Sequence, residues 1–214
     1  MADPTWTFDG KRYHETRTGR FVGAKDLVRL RDEYIDLQQY QVSNYSEMVA
    51  NGSMSRDEFI SRMRESIRNT YVNEYALGRG GRQMVTKAEW LQVARDAKAQ
   101  YRYLNRFADQ IEAARLAGKP FSPEYIANRA KMYIDSGTKP YEMARAKAAG
   151  VPDLPAYPGD GQTVCTVNCR CHWEIEDNDT QFDCTWTLGD AEHCTDCLTN
   201  ASKWAPLVIP KGAG

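Results

Sequence analysis

All six cysteines of this 214-residue chain lie in one short stretch, between Cys165 and Cys197. They form a C-x3-C-x-C group and, further along the chain, a C-x-x-C group. Zn(II) prefers tetrahedral coordination by thiolate or imidazole ligands, and short cysteine spacings of this kind are typical of such sites. The pattern therefore predicts a structural zinc site to which each group contributes two ligands. The candidate ligands are Cys165, Cys169, Cys171, Cys194 and Cys197.

Three disulfides or unligated thiols are the alternatives to a metal. Disulfides suit a secreted chain, but no apolar run near the start of the sequence has the character of a signal peptide. We therefore expect a metal site and keep disulfides and free thiols as alternatives. A closed site made of sulfur leaves no open position for water, which favours a structural ion over a catalytic one. Cys184 shares a strand face with Trp186, which predicts a place in the core.

A β-hairpin and a short helix are the elements that must position the two cysteine groups. Apolar and polar residues alternate on both sides of the polar turn at residues 177–180, which is typical of two antiparallel strands with one apolar face. A helical pattern from Ala191 to Lys203 places Cys194 and Cys197 one turn apart on the same side. The sequence thus predicts a small zinc-type module of hairpin and helix.

An enzymatic interpretation is the zinc deaminase. The residues His172-x-Glu174, followed by Cys194-x-x-Cys197, partly match the signature in which zinc activates water and the glutamate moves protons. The match is incomplete, because His193 replaces the proline of the signature and the first two residues fall on a predicted strand. We expect no enzymatic activity and keep the deaminase as an alternative.

The composition, with 42% hydrophobic and 27% charged residues, is that of an ordinary globular protein, but the charge is uneven. Residues 151–214 carry ten acidic and three basic side chains, whereas residues 1–150 carry nineteen acidic and twenty-five basic ones. No apolar stretch approaches the roughly eighteen residues of a membrane span, so we expect no membrane partner. The basic part suits phosphates, which makes a zinc-dependent nucleic-acid-binding protein another alternative. Its candidate residues are Arg29, Arg31, Arg62, Arg64, Arg79 and Arg82.

Before the cysteines, the sequence predicts a β-ribbon and then long helices. Alternating residues and turn signals predict the ribbon over Trp6–Val22, either as a docking arm or as a loosely attached hairpin. Apolar residues at three-and-four spacing predict helices that begin near residues 24, 55, 86, 122 and 138, two of them with capping boxes. The predicted buried stripe of the second helix is Phe59, Met63, Ile67, Tyr71 and Tyr75. The predicted seam of the third is Trp90, Ala94, Ala97, Tyr101, Leu104, Ala108 and Ile111.

Repeated prolines after residue 150 break any helix and predict a boundary there. We therefore predict three parts: an N-terminal arm over 1–23, an α-helical body over 24–150, and a cysteine-rich metal-binding module with an apolar tail over 151–214. The predicted fold class is mainly α, a bundle of long helices with a terminal ribbon and a small zinc-type module.

Several motifs in and around the cysteine-rich region resemble those of a known protein family. They are Asn168-Cys169-Arg170-Cys171, the preceding Pro158-Gly159-Asp160-Gly161, and the segment from Ala191 to Cys197 with Trp204-Ala205-Pro206-Leu207. In these motifs the chain resembles the minor head proteins of tailed phages, the Mu F-like head morphogenesis family. The resemblance implies a non-catalytic, low-copy virion protein near the portal, made in the host cytoplasm. Its implied partners are portal and capsid proteins and, in members that are ejected with it, the packaged DNA.

Overall fold

A computed structural model describes residues 6–9 and 12–212 of the chain. The described part is mainly α-helical and contains two small three-stranded sheets, which confirms the predicted class at that level. Its helices are α1 (Ala24–Ala50), α2 (Arg56–Gly78), α3 (Lys87–Leu116), α4 (Pro123–Asp135), α5 (Thr138–Ala148) and α6 (Thr195–Lys203). Its strands are β1 (Trp6–Phe8), β2 (Tyr13–Glu15), β3 (Phe21–Val22), β4 (His172–Asp177), β5 (Gln181–Thr187) and β6 (Leu207–Pro210).

The contacts divide the chain into two compact units. The first unit runs to Asn73 and resumes over Gly81–Asp135, and the second comprises Glu74–Gly80 and the chain from Ser136 onwards. This division lies at residue 135, whereas the prolines suggested residue 150. The reason is that Ala146 of α5 and the proline-containing segment beyond it belong to the same apolar core as the cysteines. The prolines end a helix there without ending the core.

The predicted ribbon is present as the antiparallel sheet β1-β2-β3 in the first unit. Trp6 is buried, and its ring stands edge-on to that of Tyr34 in α1 with 5.4 Å between the centroids. Val22 is buried as well. The ribbon is therefore anchored on α1 rather than loosely attached. Its predicted turn at Asp9 includes residues 10 and 11, which lie outside the described part of the chain.

The stripe predicted for α2 is buried at all five positions. The seam of α3 differs from its prediction, because Val93 and Phe107 are buried, while Ala94 is exposed and Trp90 is half-buried. The larger apolar side chains Val93 and Phe107 face the core. The buried face of α3 is therefore rotated away from Ala94. The capping box of Thr86 with the glutamate three residues later is confirmed.

Three tryptophans form the centre of the second unit. Trp173 of β4, Trp186 of β5 and Trp204 after α6 are buried, with ring centroids 5.3–5.7 Å apart. The buried carboxylate of Glu142 in α5 accepts the backbone N–H of Trp173 at 3.1 Å and pairs with Arg145 at 3.1 Å. Since a buried carboxylate is costly without partners, these bonds fix α5 against β4.

The apolar tail is extended, as predicted, and stays within its own unit. Residues Leu207–Pro210 form β6, which pairs antiparallel with β5 from Cys184 to Gln181. The resulting sheet has the order β4-β5-β6. The tail thus covers one edge of the hairpin that was predicted around residues 177–180.

Candidate metal centre

The first cysteine group lies in a tight loop before β4. The carboxylate of Asp160 accepts two backbone N–H groups at 2.9 and 3.0 Å and organises the start of this loop. Thr166 has a left-handed φ of 52° and lies between two hydrogen-bonded turns. These chain reversals bring the sulfur atoms of Cys165 and Cys169 next to that of Cys197.

The second cysteine group lies at the start of α6. Cys194 is the N-cap residue of this helix, and Cys197 is buried in its first turn. The carboxylate of Asp196 accepts the backbone N–H of Val164 at 2.8 Å, which ties the helix to the loop that carries Cys165. Backbone N–H groups in the first turn of a helix carry partial positive charge. This end of α6 therefore favours thiolates.

The sulfur atoms of the two groups converge on Cys197. Those of Cys165, Cys169 and Cys197 all lie within 4.8 Å of one another. The sulfur of Cys197 is 3.7 Å from that of Cys165 and 3.6 Å from that of Cys169. On one side Cys171 interacts with Cys169 and Cys197, and on the other Cys194 interacts with Cys165 and Cys197. Of the five cysteines singled out in the sequence, Cys165, Cys169 and Cys197 thus form the close set. Cys171 and Cys194 lie beside it and interact with its members, but their sulfur atoms are not within 4.8 Å of all three.

Cys171 is strongly stabilised as a thiolate. The side chain of Cys169 has the largest effect on its pKa, and the backbone of Gly189 and the indole of Trp186 lower it further, to about 5. The backbone of Gly189 packs closely against that of Arg170. Only glycine allows this approach, because a Cβ at that position would lie only 2.2 Å from the carbonyl oxygen of Arg170. The interaction with Cys171 raises the pKa of Cys169.

Cys194 is less buried and ionises near neutral pH. Burial raises its pKa, but interactions with the backbone and side chains of Cys197 and Cys165 outweigh this and lower the pKa to about 7. Burial raises the pKa of Cys197. Without a metal the cluster is therefore a mixture of thiolates and thiols, and a bound cation would stabilise the ionised form of each ligand.

The spacing of the sulfur atoms fits a tetrahedral zinc ion. Zn–S bonds of about 2.3 Å at tetrahedral angles place neighbouring sulfurs about 3.8 Å apart, close to the observed 3.6 and 3.7 Å. A disulfide has an S–S distance of about 2.05 Å, and all six cysteines are free. The buried Nε1 of Trp186 has no hydrogen-bond partner among the described residues. This indole lies close enough to Cys171 to lower the pKa of that thiol, although the pair does not have the geometry of a full hydrogen bond.

Cys184 lies apart from the cluster, in the core as predicted. It is fully buried on β5, and burial raises its pKa. Sequence reasoning did not identify Trp186 and Gly189 as neighbours of the cluster. The sequence did contain an indication for Gly189, because a glycine near the end of a strand often marks a close approach of two backbone segments.

The histidine and the glutamate of the deaminase alternative do not join the close set of cysteines. His172 and Glu174 lie on β4 with 3.7 Å between the imidazole nitrogen and the carboxylate oxygen. The side chain of Glu174 is 62% exposed. A deaminase needs its glutamate beside zinc-bound water in an enclosed pocket, so this arrangement does not favour that reaction.

Comparisons of the chain with family models, curated proteins and solved structures gave no match. Within the described residues, no helix combines the length and the apolar character that a membrane span requires. The functional proposal therefore rests on the chemistry of the cysteine cluster and on the sequence motifs around it.

Proposed function

We propose that one structural Zn(II) ion is bound by Cys165, Cys169, Cys194 and Cys197. The close spacing of three of these sulfur atoms supports their role. Cys194 supports the set as its fourth member, because Cys165 and Cys197 both lower its pKa and it is partly exposed, which leaves the ion a route from solvent. Its sulfur would have to move closer to the other three when the ion binds. Four sulfur ligands complete a tetrahedron, so such a site would stabilise the fold and perform no reaction.

Cys171 is the alternative candidate for the fourth zinc ligand. The pKa of Cys171 is influenced by Cys169 and Cys197, just as the pKa of Cys194 is influenced by Cys165 and Cys197. Cys171 is buried at 3% exposure, on the side of the cluster next to the tryptophan core. We propose that its sulfur accepts a hydrogen bond from the backbone of Gly189 and does not bind the ion.

Serine substitutions at these two positions test the assignment. Cys194→Ser is expected to lose most of the bound zinc, because three sulfur ligands hold the ion much more weakly than four. Cys171→Ser, the matched change on the other side of Cys197, is expected to keep one ion per chain. The measurement is metal analysis of protein purified without oxygen, with cobalt substitution to report the number of thiolate ligands from its absorption. The reverse result would assign the fourth position to Cys171.

We propose that the protein is a structural minor head protein of a tailed phage or prophage, and that its zinc centre holds a small non-catalytic module in shape. The observation that supports this is that the motif segments behind the resemblance, Asn168–Cys171 and Cys194–Cys197, contain Cys169 and Cys197, two of the three closely spaced cysteines. The proposed partners are the portal and capsid proteins and packaged DNA. The proposed location is the virion near the portal, after synthesis in the host cytoplasm.

Purified particles test this role. Mass spectrometry of DNA-filled heads should detect the chain at low copy number together with the portal and capsid proteins. Its gene should lie between a portal gene and a scaffold or capsid gene. Finding the protein in infected cells but in neither proheads nor filled heads would exclude the proposal. That outcome would leave the zinc assignment intact.

Removing the zinc is expected to unfold the cysteine module and leave most helices folded. Structural zinc sites contribute roughly 10–16 kcal/mol of binding free energy, whereas α1 to α4 contain most of the described helical residues. An excess of chelator should therefore shift the emission of Trp173, Trp186 and Trp204 to longer wavelength, with only a small loss of ellipticity at 222 nm. Added zinc should restore the emission. Complete metal loss with unchanged emission would show that the ion is dispensable for the fold.

A further inference from the structure

We infer that a basic groove between α2 and α3 of the first unit binds the phosphate backbone of a nucleic acid. The groove is open and has a volume of about 760 Å³. Its walls are formed by charged and polar side chains from both helices. The lining residues discussed below are Arg56, Arg64, Arg68, Lys98, Tyr101 and Asn105.

One end of the groove is closed by ion pairs. The guanidinium of Arg56 donates hydrogen bonds to Asp109 at 2.5 and 2.7 Å and to Asp57 at 2.5 Å. These interactions raise its pKa. Since two carboxylates already neutralise Arg56, it holds α2 against α3 and is not the cation that would meet a phosphate.

Arg64 is held in place within the groove and has an unused donor. Its guanidinium donates to the side-chain oxygen of Asn105 at 3.0 Å and lies over the ring of Tyr101, 5.3 Å from the centroid. Its Nε is buried and has no hydrogen-bond partner among the described residues. The contacts with Asn105 and Tyr101 hold the guanidinium in place in the lining of the groove.

Two further cations of the groove have no carboxylate of their own. Arg68 and Lys98 are exposed, and neither makes a hydrogen bond or ion pair within the described part of the chain. The carboxylates that line the groove are Glu65 and Asp57, and Asp57 is paired with the arginine at the closed end. The open part of the groove therefore has an excess of positive charge.

The basic surface continues along α3, which favours a chain of phosphates over a single anion. Lys98, Arg102 and Arg106 are all exposed and follow one another at intervals of four residues. This spacing places them on one side of the helix, with successive cations about 6 Å apart along its axis. A free phosphate ion would meet one or two of these cations, whereas a nucleic-acid backbone runs past them all.

Binding of labelled duplex and single-stranded DNA, measured by fluorescence anisotropy over a range of salt concentrations, tests the inference. The double variant Arg68→Gln/Lys98→Gln is expected to bind roughly 60-fold more weakly at 0.1 M salt and to lower the slope of log K against log salt by about 2, because each phosphate contact contributes about 0.9 to that slope. The matched control is Arg115→Gln/Lys119→Gln, which removes the same charge from the last turn of α3 and the loop directly after it. This control should keep the native slope.

Three outcomes would overturn the inference. One is equal weakening by both double variants, which would mean that diffuse charge attracts DNA and the groove does not matter. Another is no measurable binding of either nucleic acid by the native protein at 0.1 M salt. The third is saturable binding of inorganic phosphate without binding of DNA, which would make the groove a small-anion site. The inference concerns the first unit only and does not depend on the assignment to phage heads.

Discussion

Cys197→Ala is expected to abolish zinc binding and to leave the second unit unfolded at 25 °C. The sulfur of Cys197 lies next to those of Cys165 and Cys169 and influences the pKa of both Cys171 and Cys194, so we expect it to be a ligand in any tetrahedral set. Loss of a structural zinc site removes roughly 10–16 kcal/mol, which equals or exceeds most of the roughly 5–15 kcal/mol that usually stabilises a domain. Zinc content, tryptophan emission and limited proteolysis would report the loss.

The matched control for this change is Cys184→Ala. Cys184 is 0% exposed and Cys197 is 1% exposed, so both substitutions remove a buried sulfur, but only the second removes it from the cluster. We expect Cys184→Ala to keep one zinc ion and to lower the free energy of unfolding by about 1 kcal/mol through the small cavity it leaves. If the two variants lose zinc or stability to the same extent, the cluster is not a metal site.

Trp173→Ala is expected to lower the free energy of unfolding of the zinc-loaded second unit by about 3–5 kcal/mol. The indole of Trp173 lies 5.3 Å, centroid to centroid, from both Trp186 and Trp204. Its Nε1 donates to the carbonyl oxygen of Ala156 at 3.0 Å. Alanine would leave a large cavity and an unpaired carbonyl in the core. Urea denaturation followed by near-UV circular dichroism would measure the change.

Two variants distinguish this packing effect from a general loss of tryptophan. Trp173→Phe keeps a ring but loses the hydrogen bond to Ala156, so a smaller destabilisation is expected. Trp90→Ala changes a half-buried tryptophan of the first unit and should not alter the transition of the second. A loss below about 1 kcal/mol for Trp173→Ala, within the range of ordinary surface changes, would mean that the tryptophan cluster is not the centre of this core.

Much of the secondary structure could be predicted from the sequence, because it follows from the local pattern of apolar and polar residues. The stripe from Phe59 to Tyr75 follows the helical repeat, and those five positions are buried. The alternation on both sides of residues 177–180 appears as the hairpin β4–β5. The seam of α3 was less predictable, since Val93 and Ala94 are neighbours and only packing decides which of them faces the core.

By itself the sequence determined the identity of the candidate metal ligands, because cysteine spacing and the pattern of strand and helix are local properties. Only the tertiary structure decided that Cys197 is the meeting point of the cluster, that Gly189 and Trp186 act on Cys171, and that α5 shares the core of the cysteine region. Each of these depends on contacts between residues far apart in the chain. Such contacts follow from how side chains fill a common core, which no local periodicity records.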